Sequence, residues 1–184
     1  MPLSPEPSGS RVERPSPCEM VFSRLLDAPR ELVWRMWSEL EHIHEWYGPE
    51  GFTTTTFEFN FVPGGVWRHI MHGPDGTDYP TRITFREIEP PSRLVYDNGW
   101  DLPDTPLEFR VVVTLEAVGS RTALSLHMTF PSTDAVRVAV ERYGVLEGGT
   151  QTLDRLARAV ESPDGAVQRS APPNTTVPGS DDGE

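Results

Sequence analysis

The chain has 184 residues, and its 28 acidic side chains against 16 basic ones give a net charge of −12, every basic residue being Arg. This length accommodates one domain with appendages, and the acidity argues against nucleic acid or an anionic membrane as partner. The single cysteine, Cys18, excludes an internal disulfide; no apolar run approaches the ~18 residues of a membrane helix, so a reducing cytoplasm is the expected location.

Residues 1–18 are rich in Pro and Ser with almost nothing apolar to bury, and residues 162–184 repeat that composition and end acidic. Both are expected to be disordered tails. The folded unit is then residues 19–161.

Within it, Glu19–Leu26 reads as a strand. Asp27-Ala28-Pro29 opens a helix, with Asp27 as the expected cap and Pro29 where a missing N–H costs nothing. Leu32, Val33, Met36, Trp37 and Leu40 recur at helical spacing up to Tyr47-Gly48-Pro49, predicting two short helices broken near Ser38.

The period then becomes two. Phe57, Phe59 and Phe61 alternate with Glu58 and Asn60, and Trp67, His69 and Met71 alternate with Arg68, Ile70 and His72 after the turn at Pro63-Gly64-Gly65. Arg82–Ile88 and Arg93–Asp97 are joined by Pro90-Pro91. Leu107, Phe109, Val111, Val113 and Leu115 share one strand face; Leu124, Leu126, Met128 and Phe130 share the face of its partner. The opposite parity is polar, so this sheet is wet on one side and covered on the other. The cover is the last element, a helix from about Thr133 to Glu161, capped by Ser132 or Thr133 and expected to bend at Gly144 or Gly148-Gly149, the alternative being that these glycines admit close contact with the sheet. The order of strand, two short helices, six strands and a long terminal helix predicts an α+β fold in which a curved antiparallel sheet wraps that helix.

Motifs for chemistry are sparse. His69 and His72 are an odd number apart on a strand and point to opposite faces, so no metal site is expected from them. No nucleophile elbow, phosphate loop or Cys/His pair occurs, and no cofactor is expected. Asp97, Asp101 and Asp104 surround Trp100 in what reads as a proline-broken loop, most simply a solvated acidic one.

Several segments carry a resemblance. Ala28-Pro29, Trp46-Tyr47-Gly48-Pro49-Glu50-Gly51-Phe52, Pro63-Gly64-Gly65-Val66-Trp67-Arg68, Met71-His72-Gly73-Pro74-Asp75-Gly76, Ile88-Glu89-Pro90-Pro91 and Tyr143-Gly144-Val145-Leu146-Glu147-Gly148-Gly149 stand in order across residues 19–161. In these the chain resembles the START-like (SRPBCC) superfamily with its helix-grip fold, and within it the bacterial homologues of the C-terminal domain of the activator of the ninety-kilodalton heat-shock protein ATPase. The resemblance implies a cavity between sheet and terminal helix. Asn60, Val62 and His69 depart from residues common among such relatives.

On that reading Phe57, Phe59, Trp67, His69 and Met71, with Phe109, Val111, Leu126 and Met128, face the terminal helix as an apolar chamber. Trp46, Tyr79 and Trp100 supply amphipathic rings. His69, neutral when desolvated, and Tyr143 are its main polar groups. The expected function is non-enzymatic binding of a small hydrophobic, aromatic or lipid-like molecule. Two alternatives are a polyketide cyclase or aromatase, with a pocket His or Tyr as general acid/base, and a chaperone- or stress-related interaction domain that forms a homodimer or meets a weak protein partner.

Overall fold

The computed structural model describes residues 9–104 and 108–162. Leu107, the first expected residue of its strand, residues 1–8 of the first expected tail and nearly all of the second lie outside them. The elements are β1 (Arg11–Glu13), β2 (Glu19–Leu26), α1 (Arg30–Ser38), α2 (Leu40–Trp46), β3 (Thr53–Phe59), β4 (Val66–His72), β5 (Asp78–Glu89), β6 (Arg93–Trp100), β7 (Phe109–Val118), β8 (Arg121–Thr129), α3 (Thr133–Glu141) and α4 (Val145–Glu161).

All eight strands form one antiparallel sheet in the order β1-β2-β8-β7-β6-β5-β4-β3. β3 to β8 form a meander, and β2 joins it by pairing with β8, Phe22 opposite Leu126 and Met20 opposite Met128. Val111 lies opposite both Met128 and Tyr96, so one inward-facing row runs across β6, β7, β8 and β2. This parity follows directly from the alternation in the sequence. The sheet is curved and unclosed, and its concave face receives α1, α2 and α4.

Four local details depart from the sequence reading. β1 lies inside the segment expected to be disordered; it pairs with β2, Val12 opposite Phe22, and extends the sheet at its edge. At α1, Pro29 rather than Asp27 is the N-cap residue, and its carbonyl accepts from the amides of Leu32 and Val33. Trp100, expected in a loop, is the last residue of β6. The expected bent terminal helix is two helices, separated where Gly144 takes the left-handed conformation at φ 58°. Gly148 and Gly149 fall inside α4, which continues through them.

The core lies between sheet and helices. Leu153, Leu156, Ala157 and Val160 of α4 are buried, as are Leu32, Val33, Met36 and Trp37 of α1. Glu39, extended between α1 and α2, turns the chain so that Trp46 is buried and its Nε1–H donates to the Met36 carbonyl at 2.9 Å. No helix among the described residues is long and apolar enough to cross a membrane.

Candidate functional site

The segment after α2 roofs the concave face, and α4 holds it there. Arg155 donates from Nη1 to the carbonyls of Gly48 (3.0 Å), Pro49 (2.9 Å) and Phe52 (3.3 Å), and from Nη2 to that of Glu45 (3.3 Å). Glu50 pairs with Arg158, and its amide donates to Gln151 Oε1 at 3.1 Å. Gly148 allows the roof to approach closely, since a Cβ there would lie 3.2 Å from Pro49 Cγ.

Beneath this roof is a cavity of about 160 Å³. Phe22, Tyr96, Asn98, Leu126 and Met128 line its sheet side, Trp37, Trp46 and Tyr47 one end, and Tyr143, Val145 and Leu153 the side of α3 and α4. None of its lining residues is charged. Its polar groups are few. Tyr47 is hydrogen-bonded to the Asn98 side chain, and burial raises the pKa of both Tyr47 and Tyr96 far above the ordinary phenol value, so both stay protonated. The Trp37 indole N–H is buried and has no hydrogen-bond partner among the described residues. Its ring packs edge-on against Trp46 with centroids 4.6 Å apart. A buried donor without a partner is costly, and this one belongs to a ring on the cavity wall.

The candidate residues separate into four groups. Trp46, Met71, Leu126, Met128 and Tyr143 line the cavity. Tyr79 and Trp100 line a second, outer groove that shares only Tyr143 with the cavity. Trp67, His69 and Val111 are buried in the packed core beside it, while Phe59 and Phe109 are partly buried. Phe109 stacks on Phe130 with centroids 4.9 Å apart.

Phe57 is 64 % exposed and does not face the chamber. The cause is a register shift between Thr56 and Glu58: Thr56 lies opposite His69 and Phe59 opposite Trp67, leaving Phe57 as the extra residue of a β-bulge. A bulge reverses the face of every later side chain, which simple alternation cannot anticipate.

His69 is 1 % exposed, stacked on Trp67 at 3.9 Å and edge-on to Tyr47 at 5.5 Å. Burial lowers its pKa from 6.5 to about 3, so it is neutral, and neither ring nitrogen has a well-formed partner among the described residues. His72, on the opposite face, meets Asp78 at 2.6 Å. The acidic group around Trp100 is tied down across strands: Asp97 accepts from Arg86 and Arg110, both at 2.8 Å, and Asp101 from Arg68 at 2.9 Å.

Trp37, Tyr47, Tyr96 and Asn98 were not among the sequence candidates for the site. A signal existed for two of them. Leu94, Tyr96 and Asn98 share a parity on β6, so an inward Tyr96 brings Asn98 inward too.

Residues 27–161 match the family described as "Activator of Hsp90 ATPase homolog 1-like protein". Solved structures agree in fold. A protein from Arthrobacter aurescens is 24 % identical with a TM-score of 0.76, the match covering 85 % of this chain and 94 % of that one. One from Mycobacterium smegmatis is 21 % identical with a TM-score of 0.73, covering 81 % and 94 %. An AHSA1 protein from Silicibacter pomeroyi is 22 % identical with a TM-score of 0.64, covering 82 % and 99 %. Among curated protein sequences none matches. With the matched segment spanning both short helices, the meander from β3 and the whole of α4, this chain belongs to the activator of Hsp90 ATPase homolog 1-like family.

Proposed function

We propose that this chain is a small-molecule binding domain, acting in a reducing cytoplasm, that encloses a neutral hydrophobic or aromatic guest between its sheet and α4 without converting it. Family membership supports a ligand-binding or interaction domain. The observation that carries the finer reading is the uncharged cavity, walled mainly by aromatic and aliphatic side chains. Its volume of about 160 Å³ resembles that of a dry apolar cavity able to hold benzene, roughly 150 Å³. The guest it suits has one ring or a short chain. A ligand of that size binds with a Kd of roughly 10 µM to 1 mM.

The cyclase alternative draws less support. His69 lies behind Tyr47 and is unprotonated at neutral pH, while Tyr47 and Tyr96 are held protonated by burial, so none of these three is poised to exchange a proton near pH 7.

Trp37 and Trp46 make tryptophan emission a direct reporter. Titration with toluene, phenol and acetophenone is expected to change the emission. Absence of both an emission change and calorimetric heat with all three probes would sink the reading.

A further inference from the structure

The cavity has a neighbour. Tyr143 lines it on one side and on the other borders an outer groove of about 710 Å³, more than four times larger. This groove lies between the start of β5 and the end of β6, represented by Tyr79 and Trp100, and the face of α3 that carries Ala135 and Val138, with Arg142 capping the C-terminal end of that helix. An aromatic run borders the groove and reaches the residue shared with the cavity: Tyr79 to Trp100 at 6.2 Å and Trp100 to Tyr143 at 5.0 Å, with Phe52 against Tyr79 at 5.8 Å. Tyr143 stands immediately before Gly144, where an added Cβ would meet nothing within 4 Å, so the junction of α3 and α4 is not packed on that side.

The charge arrangement of the groove is uneven. Arg142 is the one cation among its described lining residues, and its guanidinium carbon sits 5.5 Å from the centre of the Tyr143 ring. The carboxylates nearest in sequence are engaged elsewhere: Asp134 accepts from Arg137 at 2.7 Å and Glu141 from the same Arg137 at 3.3 Å. Asp78, also in the groove, meets His72 at 2.6 Å. Arg142 makes no ion pair among the described residues, and its charge stands on the groove, whereas the lining of the adjacent cavity is uncharged.

We infer that cavity and groove form one divided site for an elongated amphiphilic acid, with its apolar end in the inner cavity, its stem along Trp100 and Tyr143, and its carboxylate at Arg142. This rests on the reading of the inner cavity given above and adds the class of the ligand. A carboxylate fits Arg142 because a guanidinium offers planar paired donors, and an apolar end fits the cavity because no charged side chain lines it.

The test uses the full chain and three probes: ethylbenzene, 6-phenylhexanoic acid and 6-phenylhexan-1-ol, titrated by tryptophan emission and calorimetry into wild type and Arg142→Gln. An exposed ion pair adds a preference for the acid over the alcohol of about fivefold, lost in Arg142→Gln and reduced by added salt, with ethylbenzene binding equal in both proteins. Equal binding of acid and alcohol by wild type overturns the inference, as does an acid preference that persists in Arg142→Gln. If ethylbenzene still binds in either case, the inner-cavity reading survives alone; if none of the three binds, both fall.

Discussion

The ring of Phe22 on β2 occupies the space that a side chain at Gly149 on α4 would need: a Cβ there would lie 2.5 Å from Cε1 and 2.7 Å from Cζ. The pair sets how closely the helix approaches the sheet, and both residues line the cavity. In Gly149→Ala the ring must move, and the adjacent empty space is the cavity itself. Helix propensity gains about 1 kcal/mol from the substitution, and overpacking costs about 1–3 kcal/mol. Urea unfolding should therefore show a net change of no more than about 2 kcal/mol while the emission response to small aromatic probes disappears. Undiminished binding would mean that the ring moves elsewhere.

Arg155 holds the roof through four main-chain carbonyls. Hydrogen bonds to a charged group contribute roughly 1.5–3 kcal/mol each, and they are not additive here because one side chain makes them all. Arg155→Ala should lower stability by about 3 kcal/mol and speed amide exchange across residues 47–52. Arg155→Lys should recover less than half of that loss, because one ammonium cannot reproduce the planar fork. Unchanged exchange in this segment would show that Pro49 and Trp46 hold it without the arginine.

His69 makes stability depend on pH. Its folded pKa is lowered by burial from 6.5 to about 3. Between these values the unfolded chain binds a proton that the folded chain does not, so stability rises with pH and is lost as pH falls below 6.5. The slope from this group is about 1.4 kcal/mol per pH unit. Denaturant unfolding at pH 7, 6 and 5 should show that loss in wild type and a correspondingly flatter profile in His69→Leu. At pH 7 His69→Leu should be neutral or stabilising, since it removes a buried polar ring whose nitrogens lack well-formed partners. Parallel pH profiles would contradict the assignment.

Phe57 and Phe59 are both strand phenylalanines, yet the bulge gives them opposite fates. Phe57→Ser should alter stability by less than about 0.5 kcal/mol, as for other exposed positions. Phe59, packed edge-on against Trp67 at 6.0 Å and Phe85 at 6.2 Å, should cost about 3 kcal/mol when cut to Ala. A reversed order in thermal unfolding would place the bulge elsewhere.

The parts of the fold legible in the sequence are those with local causes. Val111, Val113 and Leu115 fall at every second position between the polar residues Arg110 and Glu116, and period two assigns them to one face. The break at Ser38 and the interruption at Gly144 are also marked by nearby residues. The bulge at Phe57 has no such mark, because no Gly or Pro stands there. Gly148-Gly149 was ambiguous for a different reason: a missing side chain serves a bend and a close contact equally well, and only Phe22, far away in sequence, decides for contact.

By itself the amino-acid order determined the family, the succession of strands and helices, the acidic surface and most of the inward-facing side chains, since each depends on neighbours along the chain or on overall composition. Only the tertiary structure decided which inward side chains surround empty space. Trp67, His69 and Val111 point inward yet are packed around, while Trp37, Tyr96 and Asn98 border the cavity. A void is what remains after the volumes of remote elements are subtracted from the space between sheet and helix, and no stretch of sequence contains that difference.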